Sequence, residues 1–192
     1  MPSPGAPPLP SLVARAQEGE ATAREELAQH AGETAYVFAL QLTRSHEAAL
    51  DVAQESVLRF FRQLDRFDPT ARLEPWLFSI VRNQVRDAAR RDKVRRHQSL
   101  EVFLETGGAE PAATDDPAAE AERRELQARV WAGISQLSEA HREIVVLRDF
   151  HGLSYREIAS VLAVPQGTVM SRLHAARRDL HSILANGGTR DA

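Results

Sequence analysis

Between positions 82 and 96 stand seven basic residues, Arg82, Arg86, Arg90, Arg91, Lys93, Arg95 and Arg96, against two acids, Asp87 and Asp92. That segment carries a net charge of +5 in a chain whose overall charge is −3. Guanidinium groups spaced along a helix pair with phosphate oxygens and displace condensed counterions, which makes the contact strong and salt-sensitive. A second set gathers in VPQGTVMSRLHAARRDL, where Arg172, Arg177 and Arg178 mix with Gly167, Ser171 and His174. Small, polar and basic groups in that mixture suit the edges of bases rather than phosphate alone. Between the two, residues 101–122 hold seven acids and no Lys or Arg, a net of −7. Adjacent blocks of opposite sign mark segments with different tasks.

Other chemistries find few residues to carry them. The chain has no cysteine, which excludes disulfides, thiolate–zinc sites and thiol nucleophiles. His30, His46, His97, His141, His151, His174 and His181 show no HExxH spacing. Gly107-Gly108 and Gly187-Gly188 fall in a linker and a tail, so no phosphate-cradling loop is expected. We expect no enzyme activity, no cofactor and no metal site. No apolar run approaches the roughly 20 residues of a membrane helix. The Pro-rich start, residues 1–10, lacks the basic and apolar parts of a signal peptide and is expected to be a frayed tail. A cytoplasmic protein without membrane insertion is the expectation.

The elements that must position these residues read as helices throughout. Ala, Leu, Arg and Glu abound, aromatics are 6% of residues, and side chains of the abundant types lose little freedom on a helix. Val57, Phe60, Phe61 and Leu64 recur at helical spacing, with Asp51, Gln54, Glu55 and Arg59 off that stripe. A further helix is expected from Pro75, burying Leu77, Ile80, Val81, Val85 and Ala88 before running into the basic segment. Tyr36, Val37, Phe38, Ala39 and Leu40 mark another. The stretch TGGAEPAATDDPAA, residues 106–119, has too little apolar surface to offset ordering and reads as linker. The fold class expected is all-α, in two small helical domains joined by a flexible acidic linker. The boundaries expected are a tail at 1–10, a first domain at 11–97, a linker at 98–119, a second domain at 120–185 and a tail at 186–192.

In the second domain an amphipathic run carries Leu126, Val130, Ile134 and Leu137, and Ser138 caps the next helix. Ser154 and Glu157 have the spacing of a capping box, with Leu153 and Ile158 placed as its hydrophobic staple. A turn through Ala163, Val164 and Pro165 leads to a helix whose inward stripe is Val169, Leu173, Ala176 and Leu180. Gly167, Ser171, His174, Ala175 and Arg178 then point away from it, with Arg172 and Arg177 flanking. That arrangement is a helix-turn-helix suited to a DNA major groove. An ordinary helical hairpin with a solvated arginine face is the alternative.

SYREIASVLAVPQGTVMSRLHAARRDL resembles the promoter-binding fourth domain of extracytoplasmic-function (ECF) sigma factors. DVAQESVLRFF, residues 51–61, and PWLFSIVRNQVRDAARR, residues 75–91, resemble the second domain of the same family. The resemblance implies a monomeric promoter-specificity subunit of core RNA polymerase. It implies that Asp51, Gln54 and Glu55, with Leu58 and Phe61, dock on a coiled coil of the largest subunit, and that the flap of the second-largest subunit is also contacted. It assigns minus-ten recognition to Phe67, Asp68, Trp76, Arg82, Asn83, Arg86, Arg90 and Arg91. The loop from Phe67 to Glu74 would hold an unstacked base. Trp76 is there either a stacking platform or, as its place early in a helix favours, a core residue. Minus-35 recognition falls to Tyr155, Arg156, Gln166, Gly167, Thr168, Ser171, Arg172, His174, Arg177 and Arg178. The acidic linker would thread the cleft toward the RNA exit path, and an anti-sigma factor is an implied partner. Met170 and Ala175 depart from the family, which often has basic residues there, so the sequence preferred in DNA is open.

A conventional regulator, such as a response-regulator output domain, shares the helix-turn-helix. It gives no reason for DVAQE or for the basic PWLFSIVRNQVRDAARR segment, and it would bind duplex DNA alone, usually as a dimer.

Overall fold

The computed structural model describes residues 8–96 and 117–187, with the side chains of 92–96, 117–121 and 187 outside that description. Among the described residues the elements are eight α-helices, one 3-10 turn and one π-turn, with no strand. No helix is long and apolar enough to cross a membrane, and no cluster of metal-ligating side chains occurs among these residues. The chain divides into two units, residues 1–107 and 108–192.

The first unit holds α1 (Leu9–Gln17), α2 (Ala21–Thr43), α3 (His46–Gln63), a 3-10 turn (Leu64–Arg66) and α4 (Leu73–Arg96). Helix α1 takes Leu9 and Pro10 from the expected tail, because Leu12, Val13 and Ala16 bury themselves against α2. Helix α2 ends at Arg44, which adopts the left-handed conformation at φ 59°. Ser45 then caps α3 by accepting the Ala48 N–H at 3.3 Å. The buried row of α3 is Ala49, Val52, Ala53, Ser56 and Phe60. Val57 and Phe61, expected inside, are only half-buried. Small residues explain the shift: Ala49, Ala53 and Ser56 let α2 and α4 approach closely, which an apolarity count over larger side chains overlooks.

Helix α4 starts two residues earlier than expected, and Pro75 sits within its first turn, where a missing N–H costs nothing. Leu77, Phe78, Ile80 and Val81 are buried, and the Phe38 and Phe78 rings meet at 4.4 Å between centroids. Val85 and Ala88, expected in this core, are half-buried.

The second unit holds α5 (Pro117–Gln136), α6 (Glu139–Val145), the π-turn (Val146–Phe150), α7 (Tyr155–Leu162) and α8 (Gln166–Gly187). Helix α5 begins inside the span expected as linker and α8 continues into the span expected as tail; the linker from 98 to 116 lies outside the described residues. Ile134 and Leu137 are buried, but Leu126 is 60% exposed. It lies too early on α5 to reach the core. Gly133 is where α5 meets α8: a Cβ there would stand 2.8 Å from Leu184 Cδ2. The C-terminal end of α5 is closed by Arg142, which donates to the carbonyls of Ser135 (2.9 Å) and Leu137 (3.1 Å).

Candidate nucleic-acid interface

The helix-turn-helix is built from local rules that the sequence states openly. The Ser154 side chain accepts the Glu157 N–H at 3.3 Å, and Glu157 Oε2 accepts the Ser154 N–H at 2.7 Å, which completes the capping box of α7. Leu153 and Ile158 are fully buried. The turn is made by Ala163 in the left-handed region at φ 53°. Its N–H and that of Val164 satisfy carbonyls of α7. Val169, Leu173 and Ala176 fix the inward side of α8; Leu180 is half-buried.

With that side fixed, the outward side follows. Gln166, Gly167, Ser171, His174 and Arg178 are exposed, Thr168, Arg172 and Ala175 half-buried. The Ser171 hydroxyl donates to the Thr168 carbonyl at 3.2 Å, which leaves its oxygen as an outward acceptor. On α7, Arg156 is exposed and Tyr155 half-buried.

Two expected contacts are already occupied. Arg177 donates through Nε to Asp149 Oδ2 at 3.2 Å and through its terminal nitrogen to Asp149 Oδ1, a two-point pair that ties α8 to the π-turn. The hydrogen bond to Asp149 raises the Arg177 pKa above its ordinary value. Tyr155 lies under the Arg148 guanidinium, 5.1 Å from the ring centroid, while Arg148 also donates to the Leu153 carbonyl at 2.7 Å. The π-turn therefore braces both helices. Asp149 was not singled out from sequence, since its partner lies 28 positions away. His141 supplies a second brace, its Nδ1 lying 2.9 Å from the Asp179 carboxylate across α6 and α8.

In the first unit the cationic surface is a row on α4. Asn83, Arg86 and Arg90 are exposed at spacings of three and four, so they share one face. Arg90 pairs with Asp87 at 3.3 Å and is 75% exposed, which leaves most of its guanidinium to solvent. Arg91 is exposed beside the row and donates to the Asp87 carbonyl at 3.4 Å. Arg82 corrects the sequence expectation: it is 6% exposed. Counting back from Asn83 by one residue turns the side chain about 100° toward the bundle, so Arg82 does not belong to the exposed row.

The loop before α4 is braced from three sides. Phe67 stacks on Trp76 with centroids 4.6 Å apart and planes 17° from parallel, and Phe60 meets Trp76 at 4.9 Å. Trp76 is thus packed between two phenylalanines, and the Phe67 ring occupies a face that a base would need. Asp68 Oδ1 accepts from both the N–H and the hydroxyl of Thr70, at 2.9 and 2.7 Å. Those hydrogen bonds hold its carboxyl below the usual range. Gln17 of α1 donates to the carbonyls of Leu64 (2.8 Å) and Phe67 (2.7 Å), a strut with no sequence signal.

The outward side of α3 has another character. Leu58 is 54% and Leu50 41% exposed. Asp51 and Gln54 are exposed beside them, and Glu55 and Phe61 are half-exposed. Glu55 pairs with Arg59 at 3.2 Å. Leu50, Gln54, Leu58 and Phe61 recur at four, four and three, one continuous face. Leu50 was missed from sequence, though the same spacing would have found it.

Fold and surfaces together define a two-unit, all-α protein with a helix-turn-helix in its second unit. Residues 27–95 match the family model for Sigma-70 region 2, and residues 127–180 that for Sigma-70 region 4. The chain is 33% identical over 168 residues to the ECF RNA polymerase sigma factor SigE of Mycolicibacterium smegmatis, covering 88% of this chain and 64% of that protein. It is 32% identical over 177 residues to the ECF RNA polymerase sigma factor SigL of Mycobacterium tuberculosis, covering 92% and 97%. The structure of the sigma factor RpoE with the anti-sigma factor NepR from Bartonella quintana superposes with a TM-score of 0.67 at 25% identity, covering 84% of this chain and 96% of that one. The chain belongs to the ECF sigma factors, transcription initiation proteins that direct promoter-specific transcription.

Proposed function

We propose that the chain binds core RNA polymerase through the outward face of α3, reads the minus-35 element through α8 and holds the melted minus-ten strand against α4. The observation that carries the reading is the outward side of α8, where Gly167, Ser171, His174 and Arg178 stand exposed over the buried Val169, Leu173 and Ala176. Arg178 can pair two-fold with a guanine edge, and Arg156 and Arg172 lie where phosphates flank a groove-bound helix. Arg177 serves as the brace of that helix through Asp149.

On α4, Asn83 addresses the separated strand, while Arg86, Arg90 and Arg91 neutralise its backbone. The Phe67–Glu74 loop offers backbone and polar groups to an extruded base. Trp76 and Phe67 form its packed wall. Flipping a base costs a few kcal/mol, and a braced loop meets that cost with little ordering of its own. Leu50, Leu58 and Phe61, with Gln54 among them and Asp51 and Glu55 alongside, fit a basic-faced coiled coil of the largest polymerase subunit, with the flap of the second-largest subunit contacting the second unit. The RpoE structure contains an anti-sigma factor, and such a partner covering this apolar face would keep the chain, a cytoplasmic monomer in the holoenzyme, inactive.

Run-off transcription with purified core polymerase on a genomic fragment library tests the reading. Transcript starts that appear only when the chain is added support it. Their absence, with any inhibitory partner removed, overturns it.

A further inference from the structure

One large apolar side chain interrupts the polar outward surface of α8. Met170 is 55% exposed and lies between buried Val169 and exposed Ser171. It follows Gly167 by three residues and precedes His174 by four, so the three share one flank of the helix. The space over Gly167 is open, since a Cβ there would meet nothing within 4 Å. Side chains on a helix lean toward its N-terminal end, and that end of a recognition helix meets base edges. The Met170 thioether therefore lies exposed near the N-terminal end of α8, at the flank of its outward side. It has no hydrogen to donate and no charge for a phosphate. The apolar group that a major groove presents is the C5-methyl of thymine.

We infer that Met170 is a specificity determinant that packs on the C5-methyl of one thymine in the upstream duplex element. The inference rests on the major-groove placement of α8 proposed above. It makes the chain's preference at that position one for a methyl group rather than for a hydrogen-bonding pattern. Deoxyuridine, which pairs like thymine and lacks only the methyl, separates the two.

The test measures binding of the assembled holoenzyme to duplexes of a promoter recovered by run-off transcription, with each upstream thymine replaced in turn by deoxyuridine. One replacement should weaken wild-type binding about fourfold, the worth of one buried methyl-sized group. Met170→Ala should lose a similar factor on the natural duplex and lose no more on the deoxyuridine duplex. Met170→Leu, still apolar, should keep the sensitivity. If no replacement changes wild-type binding, or if Met170→Ala keeps the full deoxyuridine effect, the inference is overturned. A scrambled upstream element separates this failure from a larger one. Strong loss on scrambling with no methyl effect leaves α8 in the groove and removes only Met170. No loss on scrambling removes the groove placement itself.

Discussion

On α3 the outward face shows Leu50 and Leu58 beside Asp51 and Gln54; on α8 it shows Ser171, His174 and Arg178, with Met170 at one flank. Both helices are held by an inward row of small and apolar residues, Ala49, Val52, Ala53 and Phe60 on one and Val169, Leu173 and Ala176 on the other. The inward rows make bundles and are interchangeable in kind. The outward rows are not. An apolar surface with carboxylates along one side gains by desolvation against a protein, whereas exposed donors with small neighbours gain by approach to base edges and phosphates. The contrast is what the proposed function rests on, a protein partner for α3 and DNA for α8.

The largest effect should come from placing a charge on that apolar surface. Leu58→Asp is expected to weaken association with core polymerase by about 100-fold, as at a desolvated hot spot. Helicity and thermal stability should be unchanged, because the side chain is already half in water. Equal loss of stability would show that Leu58 serves the bundle instead.

Next in size is the recognition helix. Arg178→Ala should lower holoenzyme binding to the upstream element by about tenfold and relax its sequence preference. Arg177→Ala should lose clearly less in specificity, because Arg177 is already paired with Asp149. Equal losses would place both arginines on DNA and remove the bracing role of the π-turn.

A smaller change is expected on α4. Replacing Arg90 and Arg91 together by Ala should flatten the salt dependence of open-complex binding, by about 0.7 in slope for each single-strand phosphate left without its arginine. A slope identical to wild type would show that this row faces solvent only. Smallest is Ser154→Ala, which removes one arm of the α7 capping box and should lower unfolding stability by about 1 kcal/mol in denaturant titration. Polymerase binding through α3 should remain.

What the residues announce in advance is mainly what depends on near neighbours. The capping box of Ser154 and Glu157 and the stripe of Val169, Leu173, Ala176 and Leu180 follow from spacings of three and four; the box stands as expected, and of the stripe only Leu180 is half-buried rather than buried. The α3 stripe was displaced because alanines and a serine do the packing there, and small side chains weigh little in an apolar pattern. Arg82 was misplaced because a run of like charges conceals which member turns inward. Contacts between distant positions, such as Gln17 with the Phe67 carbonyl or Asp149 with Arg177, have no trace in local spacing at all. Helix α1 was hidden among prolines until Leu12, Val13 and Ala16 found α2.

The most direct test is a titration of the labelled full-length chain with purified bacterial core RNA polymerase, run in parallel for the wild type and Arg178→Ala. Both should saturate along the same tight binding curve if, as proposed, α8 addresses DNA and α3 the enzyme. No association by the wild type, or a curve that shifts with Arg178, would contradict the division of labour between the two helices.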